Sequence, residues 1–188
     1  MLRKLGFALC VALVAIAGAA DTNKSGFRST EGRFAVGLPG KPEYTQEINP
    51  DWPAECKTHC YTYSTSFRAY VVTYALLPRQ LQEALAQPLA ENPKGEEVRY
   101  ILDEVVKGLL EASKDAKIVS NELTMTQGFP SRKCKVKLAD GTVLYALAVL
   151  TPERLYTLAT ATAASLDNAQ AADDFFGSFK VEKPTAKS

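Results

Sequence analysis

The most constraining feature of this 188-residue chain is the apolar run over residues 143–150, Val-Leu-Tyr-Ala-Leu-Ala-Val-Leu. The Asp140-Gly141 pair before the run is a strong hairpin signal. After it, Thr151-Pro-Glu-Arg154 places proline at the second position of a type I turn. A strand that turns back at both ends and is apolar on both sides belongs inside an antiparallel sheet. The run therefore predicts a sheet with both faces covered.

Hydrophobic periodicity predicts the elements around this strand. Further strands are expected at 33–38, around Tyr61 and Tyr63, and at 70–77, 117–126, 133–138 and 155–162, with a loop over 39–55. Helices are expected at 80–89, where Pro88 should end the helix, at 98–110, and after a cap at Ser165 or Asp167. The helix at 98–110 carries one apolar stripe suited to packing on a sheet. Together they predict an α+β fold, an antiparallel sheet of about six to seven strands covered by helices.

The N-terminus has the order of a secretory signal peptide. Basic residues at 1–4 precede an uncharged apolar run at 5–17, and small residues follow at 18–20. Cleavage after Ala19 or Ala20 would remove the only long apolar segment, which leaves no membrane span. We therefore expect a secreted or periplasmic protein with a signal peptide at 1–20. A flexible lead-in at 21–32, one domain at 33–182 and a disordered tail at 183–188 should follow.

Charge and motifs exclude several function classes. The full chain has 22 Lys and Arg against 21 Asp and Glu, and loss of Arg3 and Lys4 leaves 20 against 21. Such a balance gives no basic field for nucleic acid. The sequence also lacks a phosphate-binding glycine loop and a nucleophile elbow. We expect a non-enzymatic domain with no catalytic residues and no cofactor.

The cysteines and the single histidine form the one candidate chemical cluster. Signal removal leaves Cys56, Cys60 and Cys134, and His59 lies between the first two. An exported chain favours one disulfide and one odd thiol. Cys56 and Cys60 could pair only if their segment turns, because four extended residues span about 13 Å. Otherwise one of them would reach Cys134, which the strand pattern also allows to be a buried, inert thiol.

Two alternatives remain for the same cluster. Thiolate and imidazole groups suit zinc or copper, so Cys56, His59 and Cys60 are candidate metal ligands, although no second cluster completes the usual four. His59 could also lower a thiol pKa in a redox site, but redox motifs normally space their cysteines one residue closer. We favour the structural interpretation of the cysteines.

Two further sets of residues are candidates for contact with a partner. Lys133, Lys135 and Lys137 share one strand face, where they could bind an anion or a protein, or simply keep the face solvated. Trp52 lies between two prolines in a loop, where it could be an exposed anchor or a plug at the end of the sandwich. The sequence does not indicate the partner or the oligomeric state.

Three short motifs resemble those of a known group of proteins. Residues 31–42 (EGRFAVGLPGKP), 128–133 (GFPSRK) and 174–179 (DFFGSF) are similar to the opening strand, a middle turn and the ending of bacterial secreted proteins of unknown function, although Ser131 replaces a usual glycine. Those proteins resemble the PsbP-like group, a helix–sheet–helix sandwich. The group includes an extrinsic photosystem II protein, a Ran-binding nuclear import factor and bacterial lipoproteins. The resemblance implies this fold and the binding of other proteins, and supplies no catalytic residue. With the signal peptide, it leads us to expect an exported domain that binds another protein or a cell-envelope component.

Overall fold

The computed structural model describes residues 25–48, 53, 56–111 and 115–182. Its main sheet has seven antiparallel strands in the order β3-β4-β5-β9-β8-β7-β6. Their bounds are β3 Glu43–Glu47, β4 Thr58–Ser64, β5 Arg68–Leu76, β6 Lys117–Thr126, β7 Phe129–Lys137, β8 Thr142–Leu150 and β9 Arg154–Ala163. Strand β8 is buried at every position from 143 to 150, as its apolar run predicts.

A small sheet and three helices complete the described fold. The small sheet has the order β1-β2-β10, with β1 Ser25–Ser29, β2 Phe34–Leu38 and β10 Lys180–Val181. The helices are α1 Arg79–Glu91, α2 Glu96–Glu111 and α3 Ala169–Ser178, with a short 3-10 turn at Ala164–Leu166 before α3. The predicted α+β architecture is thus confirmed. No described helix has the length and apolar character needed to cross a membrane.

The two faces of the main sheet are covered by different elements. Helices α1 and α2 cover the face that carries Leu144, Ala146, Ala148 and Leu150 of β8. Helix α3 and the small sheet cover the opposite face, where Phe34 and Phe179 are almost fully buried with the odd-numbered residues of β8. Alternate side chains of one strand therefore contribute to two separate cores.

Four sequence expectations differ from the structure. The predicted flexible lead-in at 21–32 contains β1, whose single large apolar residue, Phe27, gives no periodic signal. The predicted loop at 39–55 contains β3, an edge strand exposed at four of its five positions. Both strands form through backbone pairing with a neighbour, which an apolar pattern does not encode.

The other two differences concern helix ends. Helix α1 continues past Pro88 to Glu91 instead of ending there. Proline removes only its own N–H, and the carbonyl of Pro88 still accepts a hydrogen bond from the backbone N–H of Asn92 at 2.9 Å. Helix α3 is capped by Asn168, whose side chain accepts a hydrogen bond from the backbone N–H of Ala171, and not by Ser165 or Asp167.

Several predicted features lie outside the described residues. These are the signal peptide at 1–20, the first part of the lead-in, Trp52 and the tail at 183–188.

Candidate functional site

The predicted cluster of Cys56, His59 and Cys60 is divided by strand β4. His59 pairs with Tyr74 and Cys60 pairs with Thr73, so the two side chains point to opposite faces of the main sheet. One ion cannot bind both. Among the described residues, no three His, Cys, Asp or Glu side chains lie together as a metal site would require. The metal interpretation took no account of strand alternation here, and β4 already begins at Thr58.

The predicted disulfide is not formed in the described part of the chain, where Cys56, Cys60 and Cys134 are all buried. Cys60 lies on β4 and Cys134 on β7, four strand spacings apart in the sheet. At about 4.8 Å per spacing, the two strands are about 19 Å apart. That is far beyond the roughly 7 Å Cα separation that a disulfide spans. Sheet order thus excludes the Cys60–Cys134 pair.

Burial makes Cys60 and Cys134 poor nucleophiles. Desolvation raises the pKa of the Cys60 thiol, and a hydrogen bond with the Thr45 side chain opposes this rise only in part. Desolvation also raises the pKa of the Cys134 thiol to about 11. Since the thiolate is the reactive species, both cysteines behave as small apolar core residues.

His59 lies in a cluster of aromatic rings between the main sheet and the small sheet. Its ring stacks on Tyr74, and its Nδ1 is 2.9 Å from the hydroxyl oxygen of Tyr44. Burial lowers the pKa of His59, while the carboxylate of Glu31, 3.9 Å from Nε2, acts in the opposite direction. The ring is therefore mostly neutral at neutral pH, and its neighbours hold it in place on three sides.

Two of the three lysines of the stripe are neutralised by carboxylates, one on helix α3 and one just before the cap of that helix. Lys133 Nζ donates to Asp173 at 2.5 Å, and Lys135 Nζ donates to Asp167 at 2.6 Å. The hydrogen bond from Lys135 lowers the pKa of Asp167. Lys137 is exposed, and Arg132 lies on the opposite face, where it pairs with Asp103 of α2. These lysines attach α3 to the sheet, so little of the predicted anion-binding stripe is left.

A cavity of about 380 Å³ opens where the two sheets meet at one end of the sandwich. The turn between β8 and β9, the turn between β6 and β7, and strand β10 surround it. Arg33 Nη1 and Arg154 Nη1 both donate to Glu153 Oε2, at 2.7 and 2.9 Å. The side chain of Arg154 is only 9% exposed. Its buried Nε has no hydrogen-bond partner in the described part of the chain.

Sequence reasoning assigned no function to this cavity. The sequence pattern places Arg154 only at the end of a turn. Along β9, however, its side chain lies on the same face as those of Tyr156 and Leu158, which face the core. A charged residue on the inward face of a strand is a usable signal. No such signal marks Arg33 in the sequence. Its position beside the cavity depends on the packing of the turn between β1 and β2 against the turn between β8 and β9.

Strand β6 forms one edge of the main sheet. Nothing in the described chain pairs with its outer side, and it is exposed at most of its ten positions. Ile118, Val119 and Met125 are exposed apolar side chains on it. A register shift between Ile118 and Ser120 leaves a regular edge from 120 to 126.

Comparison with known proteins supports the fold. No family model and no curated protein matches the chain. The chain is similar to the solution structure of cyanobacterial PsbP (CyanoP) from Synechocystis sp. PCC 6803, with a TM-score of 0.55 and 15% identity over 87% of this chain and 94% of that one. It also matches a protein of unknown function, PA94 from Pseudomonas aeruginosa, with a TM-score of 0.46 and 14% identity over 86% of this chain and 98% of that one. The chain therefore has a PsbP-like fold.

Proposed function

We propose that this protein is an exported, non-enzymatic domain that binds a protein of the cell envelope by adding one extended segment of that partner to strand β6. The observation that carries the proposal is the regular edge at 120–126, which is continuous with exposed Ile118 and Val119. An extended peptide gains affinity from backbone hydrogen bonds along such an edge and specificity from alternate side chains.

The two edges of the main sheet differ in ways that favour β6. Strand β3 has five residues and begins and ends with Glu43 and Glu47, whereas β6 has ten residues. Short, charged edges resist pairing with other chains, and long edges with exposed apolar residues promote it. Lys117 and the register shift protect only the first part of β6, so we place the partner strand along residues 120–126.

The non-enzymatic part of the proposal rests on the candidate chemical groups. Cys60 and Cys134 are buried thiols with raised pKa values, and the histidine is enclosed by tyrosine rings. Export rests on the signal-peptide pattern at 1–20. N-terminal sequencing of the protein from its native host should give a chain that starts at Ala20 or Asp21. An intact Met1 would contradict export with cleavage.

Site-specific crosslinking in the native host tests the binding edge. A photo-crosslinking amino acid in place of exposed Val119, which directly precedes the edge at 120–126 where the partner strand is placed, should yield a covalent adduct with an envelope protein. The same residue in place of Tyr100, which is similarly exposed but lies on α2, is the matched control and should yield none. The variant Met125→Lys should weaken the adduct, because it places a charge on the apolar edge.

Three results would overturn the proposal. They are the absence of any adduct from position 119, the same adduct from position 100, and an adduct that contains only a second copy of this chain. The last result would show that the edge mediates self-association. Mass spectrometry of the crosslinked peptides distinguishes these results.

A further inference from the structure

A second binding site is indicated by the cavity between the sheets, separate from the outer side of β6. Most of its wall surface is apolar, and its apolar side chains are Phe129, Pro152, Val181 and the ring of Tyr156. The volume of about 380 Å³ lies within the roughly 300–1,000 Å³ of small-molecule sites. A mostly apolar cavity with a few polar groups is the usual form of such a site.

Most polar groups around the cavity are already satisfied by the protein. The side chain of Gln127 donates to the carbonyl of Phe179 and accepts from the backbone N–H of Val181. The hydroxyl of Tyr156 donates to the carbonyl of Gly32 at 2.9 Å. Glu182 pairs with Arg28. These groups hold the walls of the cavity in place and leave little unmet demand for hydrogen bonds.

Arg33 and Arg154 are the exception, because both line the cavity and each carries several N–H donors. A buried donor without an acceptor costs free energy, more so when the group is charged. Glu153 must also serve Arg33 and Arg154 through the same oxygen. An anionic acceptor in the cavity would use the N–H donors that this one oxygen cannot serve.

We propose that this cavity binds a small amphiphilic carboxylate, meaning a molecule with one carboxylate and a short apolar body. The carboxylate accepts hydrogen bonds from Arg154 and Arg33, since guanidinium groups match the geometry of carboxylates. The apolar body lies against Phe129, Pro152 and Val181. This site needs no partner protein, so the proposal is independent of the proposed binding at strand β6.

Calorimetric titration with octanoate tests the proposal on the full-length mature protein. Octanoate should bind with a Kd of about 1 mM or lower, which is the affinity expected for a ligand of this size. Acetate lacks the apolar body, 1-octanol lacks the charge and octylammonium has the opposite charge. Each of these should bind at least about tenfold more weakly, since one charge-assisted hydrogen bond is worth that factor or more.

Two variants and the NMR chemical-shift changes caused by octanoate show where the ligand binds. Arg33→Gln should weaken octanoate binding about tenfold, and its partly exposed position makes folding robust. Arg79→Gln, in an exposed pair with Glu83 on α1, is the matched control and should change nothing. Octanoate should shift the amide resonances of Gln127 and Val181 most.

The proposal would be overturned by octanol or octylammonium binding as tightly as octanoate. Unchanged affinity in Arg33→Gln, an equal loss in Arg79→Gln, or shifts centred away from the cavity would also overturn it. A crosslinking failure at Val119 would leave all these measurements unaffected.

Discussion

The imidazole of His59 lies flat against the ring of Tyr74, with ring centroids 4.4 Å apart and the planes 7° from parallel. The β4–β5 register places these two residues directly opposite each other. Tyr44 of the neighbouring edge strand contacts His59 Nδ1 from the other side. The one histidine of the chain is thus a structural link between three strands.

This setting predicts loss of stability in mild acid. Burial lowers the pKa of His59 in the folded state below its usual value of about 6.5. The unfolded chain then binds more protons than the folded chain between these two pKa values, so stability falls as pH decreases from about 6.5. Proton NMR of the single imidazole should show the lowered pKa. Urea unfolding should give a lower free energy of unfolding just below pH 6.5 than at pH 7.5.

The variant His59→Phe is the control for that titration. It keeps an aromatic ring against Tyr74 but has no ionisable group, so its stability should depend less on pH in this window. Glu31 and Lys57, the charged groups that act on His59, remain in both proteins. An equal pH dependence of the two proteins would assign the acid effect to other groups.

Removal of the hydroxyl group should change the free energy of unfolding differently at two neighbouring tyrosines. Tyr74 and Tyr156 are paired across β5 and β9, and both are almost fully buried. The Tyr74 hydroxyl has no hydrogen-bond partner in the described chain, whereas that of Tyr156 donates to the carbonyl of Gly32. Tyr74→Phe should therefore be neutral or stabilising, and Tyr156→Phe should cost about 1–2 kcal/mol of unfolding free energy. Comparable losses in both variants, measured by urea unfolding, would contradict this assignment.

The turn between β6 and β7 depends on backbone conformation. Gln127 and Gly128 have φ values of 53° and 84°, which is typical of the tight turn that joins two antiparallel strands. Gly128→Ala should cost about 1 kcal/mol, although a Cβ there would meet no atom within 4 Å. Gly26→Ala, equally open but without a positive φ, should have a smaller effect. Thermal unfolding of both variants measures the difference, and equal midpoints would exclude backbone strain as the cause.

The buried thiols should resist modification in the folded protein. Because the pKa of Cys134 is raised to about 11, its thiolate at pH 8 is about a hundredfold scarcer than that of an ordinary cysteine. Iodoacetamide labelling followed by peptide mass spectrometry should show slow reaction at Cys60 and Cys134, and rapid reaction after unfolding in urea. Lys137→Cys, on the same strand but exposed, should react promptly. Rapid labelling of native Cys134 would contradict its raised pKa, and rapid labelling of native Cys60 would revive the redox interpretation of its cluster.

Much of the main sheet was predictable because its signals are local. The apolar run of β8, the Asp140-Gly141 turn and the stripe of α2 each fall within a few consecutive residues, and all are present in the structure. Strands β1 and β3 were missed because their formation depends on a neighbouring strand. The metal interpretation fails because side chains alternate along β4, which places His59 and Cys60 on opposite faces of the sheet.

By itself, the sequence determined most strands of the main sheet, the stripe of α2, and that both faces of the sheet are covered, because side-chain periodicity reports burial locally. Only the tertiary structure decided which distant residues meet. Strand order places the strands of Cys60 and Cys134 about 19 Å apart, and the packing of two turns brings Arg33 and Arg154 onto one oxygen of Glu153. The physical reason is that a period of two specifies the face on which a side chain lies, but not which strand lies beside it.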